Sequence, residues 1–162
     1  MKHSALTLIL SAAALFSATS RAAEFMEQSE KIRGRTYSEA VATEGGRTIW
    51  LAGQTAITDP TGKDIKGDAE AQARTAFAQI GEVLKRAGGS LKNIVNLTVY
   101  LTDVRNGAAF QKVRAEMFPD KNYPASAQVT VTALAVPGML VEIQAVAVIG
   151  DKCSKTSPCF PR

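Results

Sequence analysis

Residues 93–103 read NIVNLTVYLTD and alternate between apolar and polar side chains. Val95, Leu97, Val99 and Leu101 form one side, and Asn96, Thr98 and Tyr100 form the other. Successive side chains of a β-strand point to opposite faces of its sheet, so this spacing predicts a half-buried strand. The sheet containing it is expected to have one face packed on a core.

Two helical patterns flank this strand. Asp68 is a good N-cap for the first helix, which Gly88-Gly89 ends. Its apolar stripe recurs at helical spacing through Ala69, Ala73, Ala76, Phe77, Ile80, Val83, Leu84 and Ala87. A second helix is predicted from near Asn106 to Pro119, which cannot continue it, with Phe110, Val113 and Met117 facing inward.

The remaining patterns predict two pairs of strands. Residues 40–42 and 48–52 flank the turn 44–46 and predict a hairpin. Residues 126–133 and 141–147 alternate as strands on either side of the turn Pro137-Gly138. The order ββαβαββ predicts an α+β domain in which two helices cover one face of a mixed sheet. The other face is expected to present mainly polar residues to water or to a second subunit: Asn96, Thr98, Ser126, Gln128, Thr130, Glu142 and Gln144.

The length and composition fit one folded domain preceded by a cleavable leader. The chain has 162 residues, of which 46% are hydrophobic and 21% charged, and this excludes a disordered or fibrous protein. Lys2, the apolar run 5–16 and the small residues around Arg21 predict a signal peptide over residues 1–22. An apolar run of about a dozen residues is too short to cross a membrane. We therefore expect a periplasmic or secreted protein with no membrane partner after cleavage.

Removal of that leader changes the available chemistry. Lys2 and Arg21 leave with it, so 17 basic and 15 acidic side chains remain, a net charge of +2. No block of basic residues is left, and nucleic acid is not expected as a partner. His3, the only histidine, is also lost, which excludes His-dependent nucleophiles, zinc sites and general bases.

Cys153 and Cys159 are the only cysteines, six positions apart in a polar tail over residues 150–162. In an exported protein this spacing predicts an intramolecular disulfide. Two cysteines do not make a zinc site, and the CxxC spacing of thiol oxidoreductases is absent.

Several short motifs resemble the reactive intermediate deaminase (Rid) family, also called the YjgF family. They occur in the family's order over residues 35–149: Tyr37-Ser38-Glu39-Ala40-Val41, Leu51-Ala52-Gly53-Gln54, Ala71-Gln72-Ala73-Arg74, Val99-Tyr100-Leu101-Thr102-Asp103, Pro124-Ala125, and residues 137–148. The resemblance implies a chorismate-mutase-like fold assembled as a homotrimer, with small-molecule clefts between subunits. Active members hydrolyse enamines and imines to 2-oxo acids and ammonia without a metal or organic cofactor.

The resemblance also assigns candidate site residues. Glu142 matches the carboxylate that positions the hydrolytic water, and Tyr37 and Gly53 match the cleft tyrosine and glycine. Gln128 also falls at a substrate-binding position, and Arg105 and Asn106 fall where the family often places a ligand-contacting asparagine. The family anchors the substrate carboxylate with an arginine two residues after the proline before the fourth strand, and here that position is Ser126.

The missing arginine leaves two functions open. One is a cofactor-free imine or enamine deaminase with altered substrate choice, in which Arg33 or Arg35 can supply the lost guanidinium. The alternative is a non-catalytic periplasmic trimer that binds a small molecule or acts as a scaffold.

Overall fold

A computed structural model describes residues 23–153 and 158–161, so the predicted leader lies outside the described residues. Two short strands, β1 (Glu24–Phe25) and β2 (Val41–Ala42), precede β3 (Arg47–Trp50). They are followed by α1 (Ala69–Arg86), β4 (Ile94–Leu101), α2 (Gly107–Met117), β5 (Ala125–Thr130) and β6 (Val141–Ile149). In the described residues, no helix has the length and apolar character needed to span a membrane.

The main sheet has four strands in the order β3-β6-β4-β5. Strands β4 and β5 are parallel and the other neighbours are antiparallel, so the sheet is mixed, as predicted. Helix α2 makes the connection between the parallel strands, which cannot be joined by a tight turn. Strand β5 lies at one edge of the sheet, and among the described residues the outer side of its backbone is paired only at its start, where Ser38 forms an isolated bridge with Ala125.

Helix α1 forms where the sequence predicts it. The Asp68 carboxylate accepts a hydrogen bond from the Ala71 N–H at 2.9 Å and caps the first turn. Gly88, at a φ of +84°, follows the last turn in the left-handed conformation that favours glycine. The apolar stripe is buried because it packs against the sheet and α2.

The core lies between the two helices and one face of the sheet. Phe77 of α1 stacks on Phe110 of α2, with ring centroids 6.1 Å apart. The sheet contributes fully buried apolar side chains from its two central strands: Leu97, Val99, Leu101, Val141, Ile143, Ala145 and Ala147. This arrangement confirms that both helices cover the same face of the sheet.

Three local predictions are wrong. Strand β2 pairs with β1 rather than with β3, so residues 40–42 and 48–52 do not form a hairpin. A bulge in β4 turns Ile94 into the core and leaves Val95 only half-buried, the reverse of the regular alternation. Ser126, Gln128 and Thr130 lie on the helix-covered side of the sheet, as described below.

The C-terminal tail packs against the N-terminal strands. A disulfide joins Cys153 to Cys159. The Glu24 carboxylate accepts hydrogen bonds from the backbone N–H groups of Cys159 and Phe160, the latter at 3.0 Å. The tail is thereby held beside β1.

Candidate functional site

Glu142 and Gly53 meet on the face of the sheet that the helices leave open. Glu142 pairs with Tyr100 across the β4–β6 ladder, so both side chains point to this open face. Gln54 and Ile143 exchange backbone hydrogen bonds of 2.9 Å, which fixes the segment after β3 alongside β6. A methyl group built on Gly53 would lie 2.1 Å from Glu142 Oε1, so the carboxylate occupies the space that a side chain would need. We call this pair the Glu142 half-site.

Ser126 and Gln128 lie on the opposite face of the sheet. Ser126 pairs with Leu97 and Gln128 with Val99, and both partners are fully buried under the helices. Laterally paired residues share a face, so the predicted placement of Ser126, Gln128 and Thr130 beside Glu142 is wrong. Strand β5 does alternate between polar and apolar side chains, but its apolar side, which includes Val129, points to the open face.

The polar residues of β5 remain accessible because β5 is the edge strand and extends beyond the helices. Gln128 is exposed, and its amide lies at the start of α2, where a methyl group built on Gly107 would be 2.8 Å from Nε2. Ser126 is half-buried. The polar side of β5 is therefore available to a ligand only at the margin of the helical layer.

Arg114 is a residue that the sequence analysis missed. Its Nη1 donates a hydrogen bond to Ser126 Oγ at 2.9 Å, and its Nε and Nη2 donate to Thr36 Oγ1 at 3.0 and 2.7 Å. The residue is only 3% exposed, and its guanidinium carbon lies 5.1 Å from the centroid of the Phe110 ring. A guanidinium therefore lies directly behind Ser126. Ser126, Gln128, Thr36 and Arg114 are called the Ser126 half-site.

Burial makes the environment of this guanidinium unusual. Desolvation lowers the pKa of Arg114 to about 10 from its ordinary 12.5. The nearby phenol groups of Tyr123 and Tyr37 act in the opposite direction and raise the pKa, but by less than burial lowers it. At neutral pH the side chain is still a cation.

Of the other predicted residues, Tyr37 lies near the Ser126 half-site, Asn106 lies at the start of α2, and Arg33 and Arg105 form ion pairs at the surface. Tyr37 is half-buried beside Ser38, whose N–H donates to the Pro124 carbonyl at 3.2 Å, so this segment runs alongside the start of β5. Asn106 lies at the start of α2 in a groove shared with the first turn of α1. Arg33 pairs with Glu30 at the surface, and Arg105 pairs with Asp103.

Clusters of metal-ligating side chains are few in the part of the chain that the structure describes. The only cluster of three such groups there comprises Glu44, Cys153 and Cys159. The two sulfur atoms are joined in the disulfide and are not thiolates, so this cluster is a poor metal site.

Comparisons with known proteins cover the same region. A family model described as "Endoribonuclease L-PSP" matches residues 30–149. A RutC family protein of Pyrococcus horikoshii is 37% identical over 123 residues, covering 76% of this chain and 94% of that protein. The 2-iminobutanoate/2-iminopropanoate deaminase of Capra hircus is 38% identical over 114 residues, covering 70% of this chain and 80% of that enzyme.

Solved structures agree with these matches. A Rid family protein of unknown function from Yersinia pestis superposes with a TM-score of 0.62 at 31% identity, over 70% of this chain and 86% of that chain. A RidA protein from an Antarctic Psychrobacter gives a TM-score of 0.57 at 36% identity, over 70% of this chain and 89% of that chain. The similarity therefore extends from sequence to fold.

Proposed function

The chain belongs to the Rid/YjgF family, and we propose that it hydrolyses small imines or enamines to carbonyl compounds and ammonia, in a site assembled from two copies of the chain. The Glu142 half-site is the observation that carries this proposal. The Glu142 carboxylate is held against the backbone of Gly53 on the open face of the sheet, where it can contact a water and a small planar group. Hydrolysis of an imine needs few other groups, because a protonated imine is already a strong electrophile.

The reaction balances with water as the only co-reactant. The Glu142 carboxylate accepts a proton from water while the oxygen bonds to the imine carbon, which gives a carbinolamine. Glu142 returns this proton to the nitrogen, and the carbon–nitrogen bond breaks as the carbinolamine hydroxyl loses its own proton to Glu142, which leaves a carbonyl and ammonia. The ammonia then takes up that second proton as ammonium. An enamine enters the same sequence after tautomerising to the imine, with a proton moving from nitrogen to the β-carbon. Holding the water and the imine carbon in contact is the main contribution expected of the protein.

The opposed faces of the two half-sites support an intersubunit cleft. One ligand cannot touch Glu142 and Ser126 of the same chain, because the sheet lies between them. The open face also exposes large apolar side chains, with Trp50 78% and Val129 42% exposed. Such a face is typical of a surface that a second subunit covers. A closed homotrimer, as the family resemblance implies, would bring the Glu142 half-site of one copy to the Ser126 half-site of the next.

Charge and composition favour imine hydrolysis over the RNA cleavage named in the description of the matching family model. The chain without its predicted leader has a net charge of +2 and no histidine. RNA binding relies on basic surfaces that neutralise phosphates. The leader pattern and the tail disulfide further support action in an oxidising compartment outside the cytoplasm.

The test measures release of 2-oxobutanoate from 2-iminobutanoate, which a dehydratase generates in place from threonine. The purified protein should accelerate release over buffer, and Glu142→Gln should abolish the acceleration. Glu82→Gln is the matched control, because Glu82 is an exposed carboxylate on α1, which covers the face of the sheet opposite to Glu142, and it should behave as the unaltered protein. If the unaltered protein gives no acceleration but binds 2-oxobutanoate, the non-catalytic binding function replaces the proposal.

A further inference from the structure

The Arg114 guanidinium is a buried cation with no carboxylate partner among residues 23–153 and 158–161. The exposed cations around it are paired differently: Lys112, two residues earlier on α2, binds Glu70 at 2.8 Å, and Arg74 pairs with Glu116. Within residues 23–153 and 158–161, the Arg114 guanidinium donates hydrogen bonds to two hydroxyl groups and lies over one aromatic ring. Burial of a charge is costly unless an opposite charge or several strong hydrogen bonds compensate.

The two hydroxyl groups that Arg114 contacts each keep an O–H donor. A hydroxyl accepts through its lone pairs and donates through one O–H. Ser126 Oγ accepts from Arg114, and Thr36 Oγ1 accepts from it twice, so the proton of each hydroxyl is directed away from the guanidinium. Within the described part of the chain, neither O–H has a hydrogen-bond acceptor. Both residues are half-buried, whereas Arg114 behind them is fully buried.

This arrangement suits an anion. Two O–H donors belong to half-buried residues, and a positive charge lies one hydrogen bond behind them. Hydrogen bonds that involve a charged group are stronger than neutral ones, and a cation behind a hydroxyl makes it a better donor. A purely structural link between Thr36 and Ser126 needs no charge, and a neutral side chain would avoid the cost of desolvating a guanidinium.

We propose that Arg114 gives this site a preference for ligands with a small carboxylate, acting through the hydroxyl groups of Ser126 and Thr36. The inference rests on the proposed function, since it concerns the substrate end of the same cleft. Arg114 is then a positioning residue, and Ser126 and Thr36 are the groups that touch the ligand. Arg114 takes the place of the family's anchoring arginine on β5, which would contact the carboxylate directly. Arg114 thereby makes the site prefer 2-imino and 2-oxo acids over their neutral amides.

The experiment compares two probes that differ in charge, 2-oxobutanoate and 2-oxobutanamide, by calorimetric titration at neutral pH. The unaltered protein should bind the carboxylate more tightly than the amide. Arg114→Met should weaken carboxylate binding about tenfold or more, from loss of a charge-assisted contact, and leave amide binding unchanged. Lys112→Met is the matched control, because it removes the same charge from the exposed side of the same helix, and it should change neither affinity.

Ser126→Ala keeps the test decisive if Arg114→Met does not fold. It removes a half-buried hydroxyl, leaves the guanidinium in place, and should also weaken carboxylate binding selectively. Equal losses for both probes in a folded Arg114→Met protein would show a structural role and overturn the inference. Carboxylate binding that withstands both substitutions would overturn it as well.

Imine hydrolysis by the same variants separates this inference from the proposed function. Arg114→Met should raise the KM for 2-iminobutanoate and leave kcat nearly unchanged, because it alters binding and not the attack of water. If the protein is active and Arg114→Met leaves the KM for 2-iminobutanoate unchanged, the inference is overturned and the proposed function still holds. An inactive protein that still needs Arg114 to bind 2-oxobutanoate would overturn the function and support the inference.

Discussion

Replacement of Gly53 by alanine should disable the Glu142 half-site without unfolding the protein. The added methyl carbon would lie 2.1 Å from Glu142 Oε1 and 2.9 Å from its Cδ. Gly53 is exposed and its φ is not in the left-handed region, so the backbone tolerates a side chain. The methyl group therefore meets only the end of a flexible carboxylate, which can move aside at little cost to stability.

The expected loss follows from the size of that movement. Real Cβ contacts shorter than 3.0 Å are essentially never seen, so Oε1 has to retreat by about 1 Å. A misplacement of about 1 Å in a catalytic group can cost on the order of 100-fold in rate. We therefore expect Gly53→Ala to lower kcat/KM for 2-iminobutanoate by about 100-fold, while its melting temperature stays near that of the unaltered protein.

The assay is keto-acid release at limiting substrate, with thermal unfolding measured on the same samples. Gly81→Ala is the matched control, because Gly81 lies inside α1 and the nearest atoms to an added methyl group are those of Leu91 at 3.9 Å. That variant should keep full activity and gain up to about 1 kcal/mol of stability from its better helix propensity. A Gly53→Ala protein that hydrolyses the imine at the unaltered rate would refute the assigned role of Glu142.

Three further predictions concern other parts of the chain. Ser126→Arg alone should lower the melting temperature, because it sets two guanidinium groups side by side. Adding Arg114→Met to Ser126→Arg should restore both the stability and the preference for carboxylate over amide. A Ser126→Arg protein of unaltered stability would contradict the contact between these residues. Hydrogen bonds from the Arg105 side chain and backbone hold the pKa of Asp103 at about 2, below its ordinary 3.8. The carboxyl resonance of Asp103 should titrate near pH 2, so the stabilising contact is complete above about pH 4 and is lost as the pH falls through 2; a midpoint near 3.8 would contradict it. Reduction of the tail disulfide should cost at most about 2 kcal/mol in thermal unfolding and leave the mass of the assembly unchanged in light scattering, whereas dissociation would indicate a link between chains.

The sequence predicts the fold well where burial follows a regular period. The apolar stripe of α1 and the alternation of β4 are both strong, because each element has one covered face, and the N-cap and glycine signals set the ends of α1. The hairpin prediction failed for a different reason. Residues 44–46 have the composition of a turn, but turn-forming residues do not determine which strands pair with each other. Strand β2 pairs with β1 instead of β3.

The candidate site was harder to predict from sequence. The alternation of β5 places apolar side chains such as Val129 on one face, and the rule that apolar side chains face the core predicts the wrong face, because on an edge strand such a side chain can face another subunit. Arg114 is not among the apolar positions of α2 from which the buried face of that helix is predicted. A signal was present, since Arg114 follows Phe110 by four residues and so lies on the same inward face of the helix.

A subunit-mixing experiment tests most directly the claim that two copies of the chain form each site. Glu142→Gln removes the carboxylate of one half-site, and Gln128→Trp fills the other with an exposed bulky ring, so each variant alone should be inactive. When the two variants are mixed in equal amounts and assemble at random into closed rings, about a quarter of the sites join an intact Glu142 half-site to an intact Ser126 half-site. We predict that co-assembled variants regain about a quarter of the unaltered activity, whereas a mixed assembly as inactive as its two components would contradict the shared site.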